Sequence, residues 1–319
     1  MQKGFENFTF QDIELGIDYE GPVGATLISY NKNESTRQPI LYIHGFSDYF
    51  YHPQLAEKAS EAGYNFFALE LRKYGRSIRE HQHANYCRSL HEYFPEIDFA
   101  LKKITEVSGQ KAILLGHSNG GLISSLYAIH GNYKGLIQLL ILNSPFLELN
   151  LNLLVRKIAI PIIGFLSKTF PYVKVNNAVN PLYPKSIDKN YYGEWEIDHK
   201  YKPIEGFPGY FAWLKAVATA QKSVSRNRIN IPTLVLLSSD SFIPSIWSER
   251  ISISDIILNV NNIRKRALKL GNNITLIEID QAMHDVFLSA EKTREQAFVQ
   301  MFKWRKEMNY ELSIMNYQL

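Results

Sequence analysis

Short runs of aliphatic residues alternate with helical segments through the first half of the chain. Four continuous apolar runs are strand candidates: residues 39–43, 65–69, 111–115 and 136–142. The three segments between them are helix candidates: residues 52–62, 95–107 and 120–129. Because continuous apolar runs are typical of parallel strands buried on both faces, the pattern predicts an α/β domain with a mostly parallel central sheet and helices on both faces.

The regular alternation stops in the middle of the chain and resumes later. The intervening sequence is rich in aromatic residues and is interrupted by prolines at positions 161, 171, 181, 184, 203 and 208. Strand and helix signals then return in three places: residues 232–237, 274–279 and 291–306. We therefore expect a discontinuous core formed by residues 1–146 and 228–319, with an inserted helical cap at residues 147–227.

The composition narrows the class of protein. Of the 319 residues, 45% are hydrophobic and 21% are charged, which excludes a disordered or low-complexity chain. Lys and Arg number 35 against 31 Asp and Glu, and no block of basic residues occurs, so nucleic-acid binding is not predicted. The single cysteine, Cys87, cannot form a disulfide within the chain, which fits a reducing compartment.

No segment of the sequence has the pattern of a targeting peptide or a membrane-spanning helix. Residues 1–21 mix acidic and polar side chains and lack the apolar core of a signal peptide. The most apolar region, residues 149–170, is interrupted by Arg156, Lys157 and Lys168, whereas about 20 apolar residues are needed to span a bilayer. We therefore expect a soluble, cytoplasmic protein whose cap is a candidate for transient contact with a membrane surface.

Residues 116–120 read Gly-His-Ser-Asn-Gly, a G-x-S-x-G sequence between a predicted strand and a predicted helix. A turn this tight leaves no room for side chains at the two glycine positions, and it presents the serine hydroxyl clear of the sheet. Ser118 is therefore the candidate nucleophile. The context disfavours the simpler interpretation, which is a glycine turn without chemistry.

Four segments together resemble the α/β-hydrolase superfamily: residues 39–48 (PILYIHGFSD), 68–77 (ALELRKYGRS), 114–121 (LLGHSNGG) and 283–285 (MHD). Within that superfamily the sequence is most similar to the monoacylglycerol lipase, lysophospholipase and serine-aminopeptidase-like group. The resemblance extends over nearly the whole chain, and it implies the α/β-hydrolase fold with a cap over the serine. These motifs are specific to the superfamily rather than to one substrate.

An activated serine needs a general base, and in this superfamily the triad follows the order serine, acid, histidine along the chain. His284 follows the last predicted strand, where the resemblance places the catalytic histidine. His44 and His117 flank motif glycines, and they are interpreted as residues that pack or hydrogen-bond around the site.

Three aspartates are considered for the acid that orients the histidine. Asp240 follows the strand predicted at residues 232–237, and its segment resembles the acid loop of the family, so Asp240 is the first candidate. Asp255 is the second candidate for this acid. Asp285, next to the histidine, is interpreted as a helix N-cap.

The oxyanion of a tetrahedral intermediate needs backbone N–H donors. The residue after the nucleophile, Asn119, supplies one, and the resemblance implies that Phe46 supplies the other. No cofactor is predicted: the glycines around Ser118 do not form a dinucleotide-binding motif. No metal is predicted either, because one group of candidate ligands matches no zinc spacing: His81, His83, Cys87 and His91.

These residues predict a serine hydrolase that cleaves carboxylic acyl esters through an acyl-enzyme. The resemblance, together with the aliphatic residues 149–170 and the absence of a membrane-spanning pattern, implies a monoacylglycerol- or lysophospholipid-like substrate. An aminopeptidase or an acyltransferase on the same triad is the alternative. An aminopeptidase would need an acidic side chain that binds the free amine of its substrate, and three residues of the cap could serve: Glu194, Glu196 or Asp198. A catalytically silent ligand-binding relative is a further alternative, although a binding protein has no need of a complete triad. The sequence does not indicate the oligomeric state.

Overall fold

A mostly parallel sheet forms the centre of the computed structural model, which describes residues 4–175 and 178–317. Its strands are, in chain order, β1 (Phe8–Asp18), β2 (Gly21–Tyr30), β3 (Pro39–Ile43), β4 (Asn65–Glu70), β5 (Ala112–His117), β6 (Ile137–Asn143), β7 (Lys174–Val175), β8 (Gly209–Tyr210), β9 (Thr233–Ser238) and β10 (Ile274–Ile279). β7 and β8 pair with each other, and the others form one sheet in the order β1-β2-β4-β3-β5-β6-β9-β10. β1, β2 and β4 pair antiparallel in turn, and the pairs from β4 to β10 are parallel.

Helices cover both faces of this sheet. They are α1 (Gln54–Glu61), α2 (Phe94–Ser108), α3 (Asn119–His130), α4 (Leu153–Leu166), α5 (Leu182–Ile187), α6 (Phe211–Arg226), α7 (Val260–Ala267) and α8 (Glu291–Tyr317). Leu41 and Ile43 of β3 pack with residues of α2, α3 and α6, whereas Ile40 and Tyr42 pack with residues of α1 and α8. Because successive side chains of a strand point to opposite faces, both faces must be apolar, and the predicted α/β architecture is confirmed.

Helix α8 is longer than the sequence pattern predicts. It begins at Glu291, as expected, but continues beyond the predicted end at residue 306 to Tyr317. Residues 307–317 contain neither glycine nor proline, so the sequence provides no signal that would end the helix earlier.

The chain between β6 and β9 contains α4, α5, α6 and the β7–β8 pair. Helix α6 packs against the core, since Trp213, Val217 and Ala220 are buried with residues of α2 and α3. Helix α4 is more exposed and contains Pro161. The cap boundaries at residues 147–227 stay a prediction, and the predicted ranges include residues 1–3, 176–177 and 318–319, which lie outside the described residues. Among the residues described, no helix is long and apolar enough to cross a bilayer.

The single cysteine, Cys87, lies in the core on the face of the sheet that α2, α3 and α6 cover. Its side chain is fully buried and packs in the same cluster as Tyr74, Tyr86 and Tyr93. Burial, reinforced by the negative charge of Glu92, raises the pKa of the Cys87 thiol to about 12. The thiol is therefore protonated at neutral pH and acts as a small apolar side chain.

Candidate active site

Ser118 occupies the sharp turn between strand β5 and helix α3. Its backbone has φ 52° and ψ −115°, a conformation that non-glycine residues rarely adopt. The turn is held by the Ser118 amide, which donates to the Asn143 carbonyl at 2.9 Å, and by the Ser118 carbonyl, which accepts from the Phe146 amide at 2.9 Å. The strained serine at a strand-to-helix turn is the arrangement that the G-x-S-x-G sequence predicts.

The two glycines of this motif are required by the close approach of neighbouring backbone. A Cβ atom at Gly116 would lie 2.5 Å from Ser124 Oγ and 2.6 Å from the Gly120 carbonyl oxygen. A Cβ atom at Gly120 would overlap the carbonyl oxygens of Ile43 and His44. Any side chain at either position would therefore displace the turn that carries the serine.

His284 connects Ser118 to a buried carboxylate. The His284 Nε2 atom lies 2.9 Å from Ser118 Oγ, and the His284 Nδ1 atom lies 2.8 Å from an oxygen of Asp255. The His284 side chain is 2% exposed and that of Asp255 is fully buried. The second Asp255 oxygen accepts hydrogen bonds from the amides of Ile257 and Leu258, both at 2.8 Å. These two amides fix the carboxylate, and the carboxylate in turn orients the imidazole toward the serine hydroxyl.

The predicted contact between Asp240 and His284 is wrong, and Asp255 takes that place. Asp240 follows β9 as expected, but its side chain is half exposed and accepts from Arg250 at 2.8 Å and from Ser254 at 3.1 Å. The hydrogen bond from Arg250 holds the pKa of the Asp240 carboxyl below its usual range. The chain leaves the sheet after Asp240, forms a loop and returns, and the amide of Asp255 then donates to the Asp240 carbonyl. The two aspartates are thus neighbours through their backbones, and their side chains point to different environments.

Asp285 caps the short helical turn after the histidine, as predicted. One of its oxygens accepts the Phe287 amide at 3.0 Å and the Asn143 side-chain amide at 2.6 Å. The other oxygen lies 3.8 Å from Nε2 of His117, whose ring is 4.9 Å from that of His284. Burial lowers the pKa of His117 to about 4, so His117 is neutral at physiological pH and adds no positive charge beside His284.

The turn after β3 brings Phe46 to the same cavity as the serine. A Cβ atom at Gly45 would lie 3.3 Å from Ser118 Cβ, so the backbone passes directly against the nucleophile. The Gly45 amide donates to Asp48 at 3.4 Å and the Ser47 amide donates to Asn85 at 2.9 Å. Within the residues that the structure describes, the intervening Phe46 amide has no hydrogen-bond partner.

Asn119 is the first residue of α3, and its amide is one of the helix's first-turn donors, which have no partner within the helix. The Phe46 side chain has a separate role, because its ring packs on Trp213 with 4.2 Å between the ring centroids. The structure therefore brings Ser118, His284 and the two predicted amide donors to one place.

A cavity of about 870 Å³ opens onto Ser118 and His284. Most of its wall is apolar and comes from the chain between β6 and β9: Phe146, Leu149, Val155, Ile160, Ile163, Val179, Trp213 and Leu214. Ile256, Ile257 and Leu258, which follow Asp255, complete this wall. A cavity of this size and lining suits a largely apolar small molecule.

The cavity wall also contains a buried charged pair that no sequence motif predicts. Lys202 donates to Asp48 at 2.6 Å, and each side chain is 5% exposed. Asp48 lies two residues after Phe46 in the HGFSD segment, so its closeness to the predicted oxyanion donor is visible in the sequence. Lys202 lies in the chain between β6 and β9, where the sequence offers no motif that would identify it.

The three acidic residues considered as anchors for a free amine lie elsewhere. Glu194 pairs with Arg294 at 2.6 Å, Glu196 pairs with Lys189 at 2.8 Å, and Asp198 accepts the Lys200 amide at 2.9 Å. All three are described residues, and none of them lines the cavity. In the described part of the chain, no group of three or more His, Cys, Asp or Glu residues could hold a metal ion.

Solved structures with the same fold support the assignment of the architecture. A soluble variant of monoglyceride lipase from Saccharomyces cerevisiae, solved with a substrate analog, has a TM-score of 0.68 and 19% identity, and the alignment covers 94% of this chain and 96% of that one. The monoacylglycerol lipase of Paleococcus ferrophilus has a TM-score of 0.61 and 18% identity, with 93% and 98% covered. A thermophilic esterase from Thermogutta terrifontis has a TM-score of 0.57 and 16% identity, with 93% and 98% covered. These similarities confirm the predicted α/β-hydrolase fold.

The sequence also matches a family model, whereas no curated protein matches the chain. The model is described as "Serine aminopeptidase, S33", a hydrolase family, and it matches residues 34–291. That range includes Ser118, Asp255, His284 and all the residues that line the cavity. The chain therefore belongs to the serine aminopeptidase S33 family of α/β-hydrolases.

Proposed function

We propose that the protein is a serine hydrolase that cleaves carboxylic acyl esters through a covalent acyl-enzyme. One observation carries the proposal: the hydrogen-bonded chain Ser118–His284–Asp255 ends at the floor of an apolar cavity of about 870 Å³. A serine hydroxyl within hydrogen-bond distance of an imidazole that is itself oriented by a buried carboxylate is the arrangement of an activated nucleophile.

The geometry supports a two-step reaction. Ser118 Oγ attacks the ester carbonyl carbon while His284 Nε2 takes the hydroxyl proton, and Asp255 stabilises the resulting imidazolium through Nδ1. The carbonyl oxygen becomes an oxyanion that accepts hydrogen bonds from the amides of Phe46 and Asn119. The C–O bond of the ester then breaks, and His284 returns the proton to the departing alcohol. Water next attacks the acyl-Ser118 ester with His284 again as base, which releases the carboxylic acid and regenerates the serine.

The cavity wall supports a substrate with one acyl chain, such as a monoacylglycerol- or lysophospholipid-like ester. Aliphatic side chains of α4, among them Val155, Ile160 and Ile163, form an apolar surface beside the nucleophile. A smaller number of polar side chains also line the cavity, among them Ser47, Asp48 and Lys202. A mostly apolar wall with a few polar groups suits an acyl chain attached to a polar alcohol.

A series of p-nitrophenyl esters with increasing acyl length should show rising kcat/KM until the chain fills the cavity. Each buried methylene contributes about 0.8 kcal/mol, and part of this binding is shared by ground and transition states, so KM should fall more than kcat rises. Initial rates on each ester, with alanine and proline p-nitroanilides as the matched amide controls, measure this dependence. A flat ester series together with faster amide cleavage would contradict the proposal.

Aminopeptidase activity is the second candidate, because the matching family is described as serine aminopeptidase. It requires a negative charge that anchors the substrate's free amine. Asp48 lines the cavity, but Lys202 already neutralises it, and Glu194 and Glu196 are paired outside the cavity. This distribution of charge favours the ester over the aminoacyl amide.

We further propose that the outer surface of helix α4 makes transient contact with a membrane surface. Leu154 is 73% exposed and Phe165 is 72% exposed, and three other large apolar side chains of α4 that do not line the cavity are also exposed: Ile158, Ile162 and Leu166. The basic residues Arg156, Lys157 and Lys168 flank them. An apolar helix face bordered by lysine and arginine is typical of helices that lie in the interface of a bilayer.

Replacing Leu154 and Phe165 together with serine should weaken co-sedimentation with phosphatidylcholine vesicles by at least about tenfold, because both side chains would lose apolar burial. Ile17→Ser is the matched control, since Ile17 is 81% exposed on β1, outside the insertion. Unchanged vesicle binding by the double variant would contradict a role for this surface.

A further inference from the structure

A segment of the insertion, residues 198–207, holds the turn that carries the Phe46 amide. Three hydrogen bonds connect them. Lys202 Nζ donates to Asp48 at 2.6 Å, the Phe207 amide donates to Ser47 Oγ at 2.9 Å, and the Asp198 amide donates to Tyr49 Oη at 2.8 Å. We call residues 198–207 the clamp segment and residues 45–49 the oxyanion turn.

Asp48 transmits the contact to the backbone beside the nucleophile. One of its oxygens binds Lys202, and the other accepts the amide of Gly45 at 3.4 Å. Gly45 immediately precedes Phe46 and passes against Ser118. Hydrogen bonds thus connect Lys202 of the insertion, through the Asp48 carboxylate, to the amide of Gly45. Gly45 is the residue before Phe46, whose amide is the predicted oxyanion donor.

The backbone of the turn needs such support. Ser47 has φ +51°, which is unfavourable for a residue with a side chain, and its conformation persists only where surrounding contacts determine it. The Ser47 amide donates to Asn85 on the core side, and its hydroxyl accepts from Phe207 on the clamp side. The turn is therefore fixed from two directions.

We propose that Lys202 and Asp48 are positioning residues that fix the oxyanion turn, so that the insertion completes the oxyanion site of the core. This inference depends on the proposed acyl-transfer function, because only that chemistry uses the Phe46 amide. Neither side chain takes part in the proton transfers assigned to Ser118 and His284.

The charge balance of the pair supports this role. Burial alone would raise the pKa of Asp48, but the neighbouring positive charge of Lys202 and its hydrogen bond hold that pKa below its usual value. Burial lowers the pKa of both histidines, so at neutral pH they are uncharged. Lys202 consequently provides the positive charge that keeps Asp48 ionised, and the ionised carboxylate accepts the hydrogen bonds from Lys202 and from the Gly45 amide.

Lys202→Met should lower kcat on p-nitrophenyl butanoate by about tenfold to a hundredfold with KM changed less than about threefold, because the oxyanion donor is displaced while the apolar wall is intact. Lys189→Met is the matched control, since Lys189 is also an ion-paired lysine of the insertion and pairs with Glu196 away from the turn. The control should keep the kcat of the unmodified protein.

The pH profile separates positioning from a general loss of stability. Without Lys202, burial raises the pKa of Asp48, and above that pKa an unpaired carboxylate opposes the negative charge that develops on the nearby oxyanion. The kcat of Lys202→Met should therefore fall as pH rises through this new pKa, a fall that the unmodified protein lacks. The double variant Asp48→Asn/Lys202→Met has no ionisable group there, and it should lose the fall.

Unchanged kcat and an unchanged pH profile in a folded Lys202→Met protein would overturn the inference. If Lys202→Met does not fold, Ser47→Ala tests the same turn by removing the acceptor of the Phe207 amide, and an unchanged kcat there would overturn it too. Ser118→Ala, measured in parallel, keeps the two proposals distinguishable. If that variant is inactive while Lys202→Met behaves normally, the clamp segment has no positioning role but the serine hydrolase assignment stands.

Discussion

Replacement of Ser118 with alanine should abolish labelling by a fluorophosphonate probe and reduce ester turnover by about a millionfold, as the loss of a triad serine does in studied hydrolases. The expectation follows from the short contact between Ser118 Oγ and His284 Nε2 and from the strained turn that presents the hydroxyl. Without Oγ no acyl-enzyme forms, and the amides of Phe46 and Asn119 alone retain a small residual stabilisation. Probe labelling followed by mass spectrometry, together with initial rates, measures both effects.

Ser245→Ala is the matched control for this experiment. Ser245 lines the same cavity and is exposed, so its loss should leave labelling and turnover unchanged. Normal labelling of a folded Ser118→Ala protein would contradict the assignment. Absence of labelling in the unmodified protein would instead favour the catalytically silent ligand-binding alternative.

Asp255→Asn should reduce turnover by about four orders of magnitude, because the amide no longer holds the imidazole of His284 in the tautomer that accepts the serine proton. Asparagine can still accept the amides of Ile257 and Leu258 through its oxygen, so the thermal unfolding temperature should change little. Steady-state kinetics and circular dichroism melting provide the two measurements.

Asp240→Asn is the matched control for the acid, since the two aspartates lie side by side in the backbone. Asp240 pairs with Arg250 at the surface, and a surface pair of this kind contributes roughly 0–1 kcal/mol to stability. Turnover of Asp240→Asn should therefore be close to that of the unmodified protein. A larger loss in Asp240→Asn than in Asp255→Asn would return the role to Asp240.

The sequence predicted best those features that local chemistry determines. The G-x-S-x-G turn requires residues without side chains at both glycine positions, and this requirement is visible in the sequence. The strands that lead to Gly45 and Ser118 are buried along their whole length, so they appear in the sequence as continuous apolar runs. His284 could be located because it lies shortly after the last strand, in the MHD segment that resembles the position of the histidine in the family. The α/β architecture, the nucleophile turn and the position of the histidine were accessible for this reason.

The partner of His284 could not be predicted in the same way. Asp240 and Asp255 lie on either side of a loop that folds back on itself, and the choice between them depends on which side chain faces inward after the backbones pair. A local sequence pattern contains no information about that long-range register. The Asp48–Lys202 pair escaped prediction for a similar reason, since 154 positions separate its members.

The buried thiol of Cys87 makes the protein suitable for site-specific spectroscopy without prior removal of its natural cysteine. With a pKa of about 12 and no exposed surface, Cys87 has almost no thiolate at neutral pH, and thiolate is the form that maleimides and spin labels attack. A cysteine introduced at an exposed position of α4, such as Ile158, would carry the label alone. Distances measured by paramagnetic or fluorescent labels, from that site to a second introduced cysteine on the core, would then test whether α4 moves relative to the sheet during turnover.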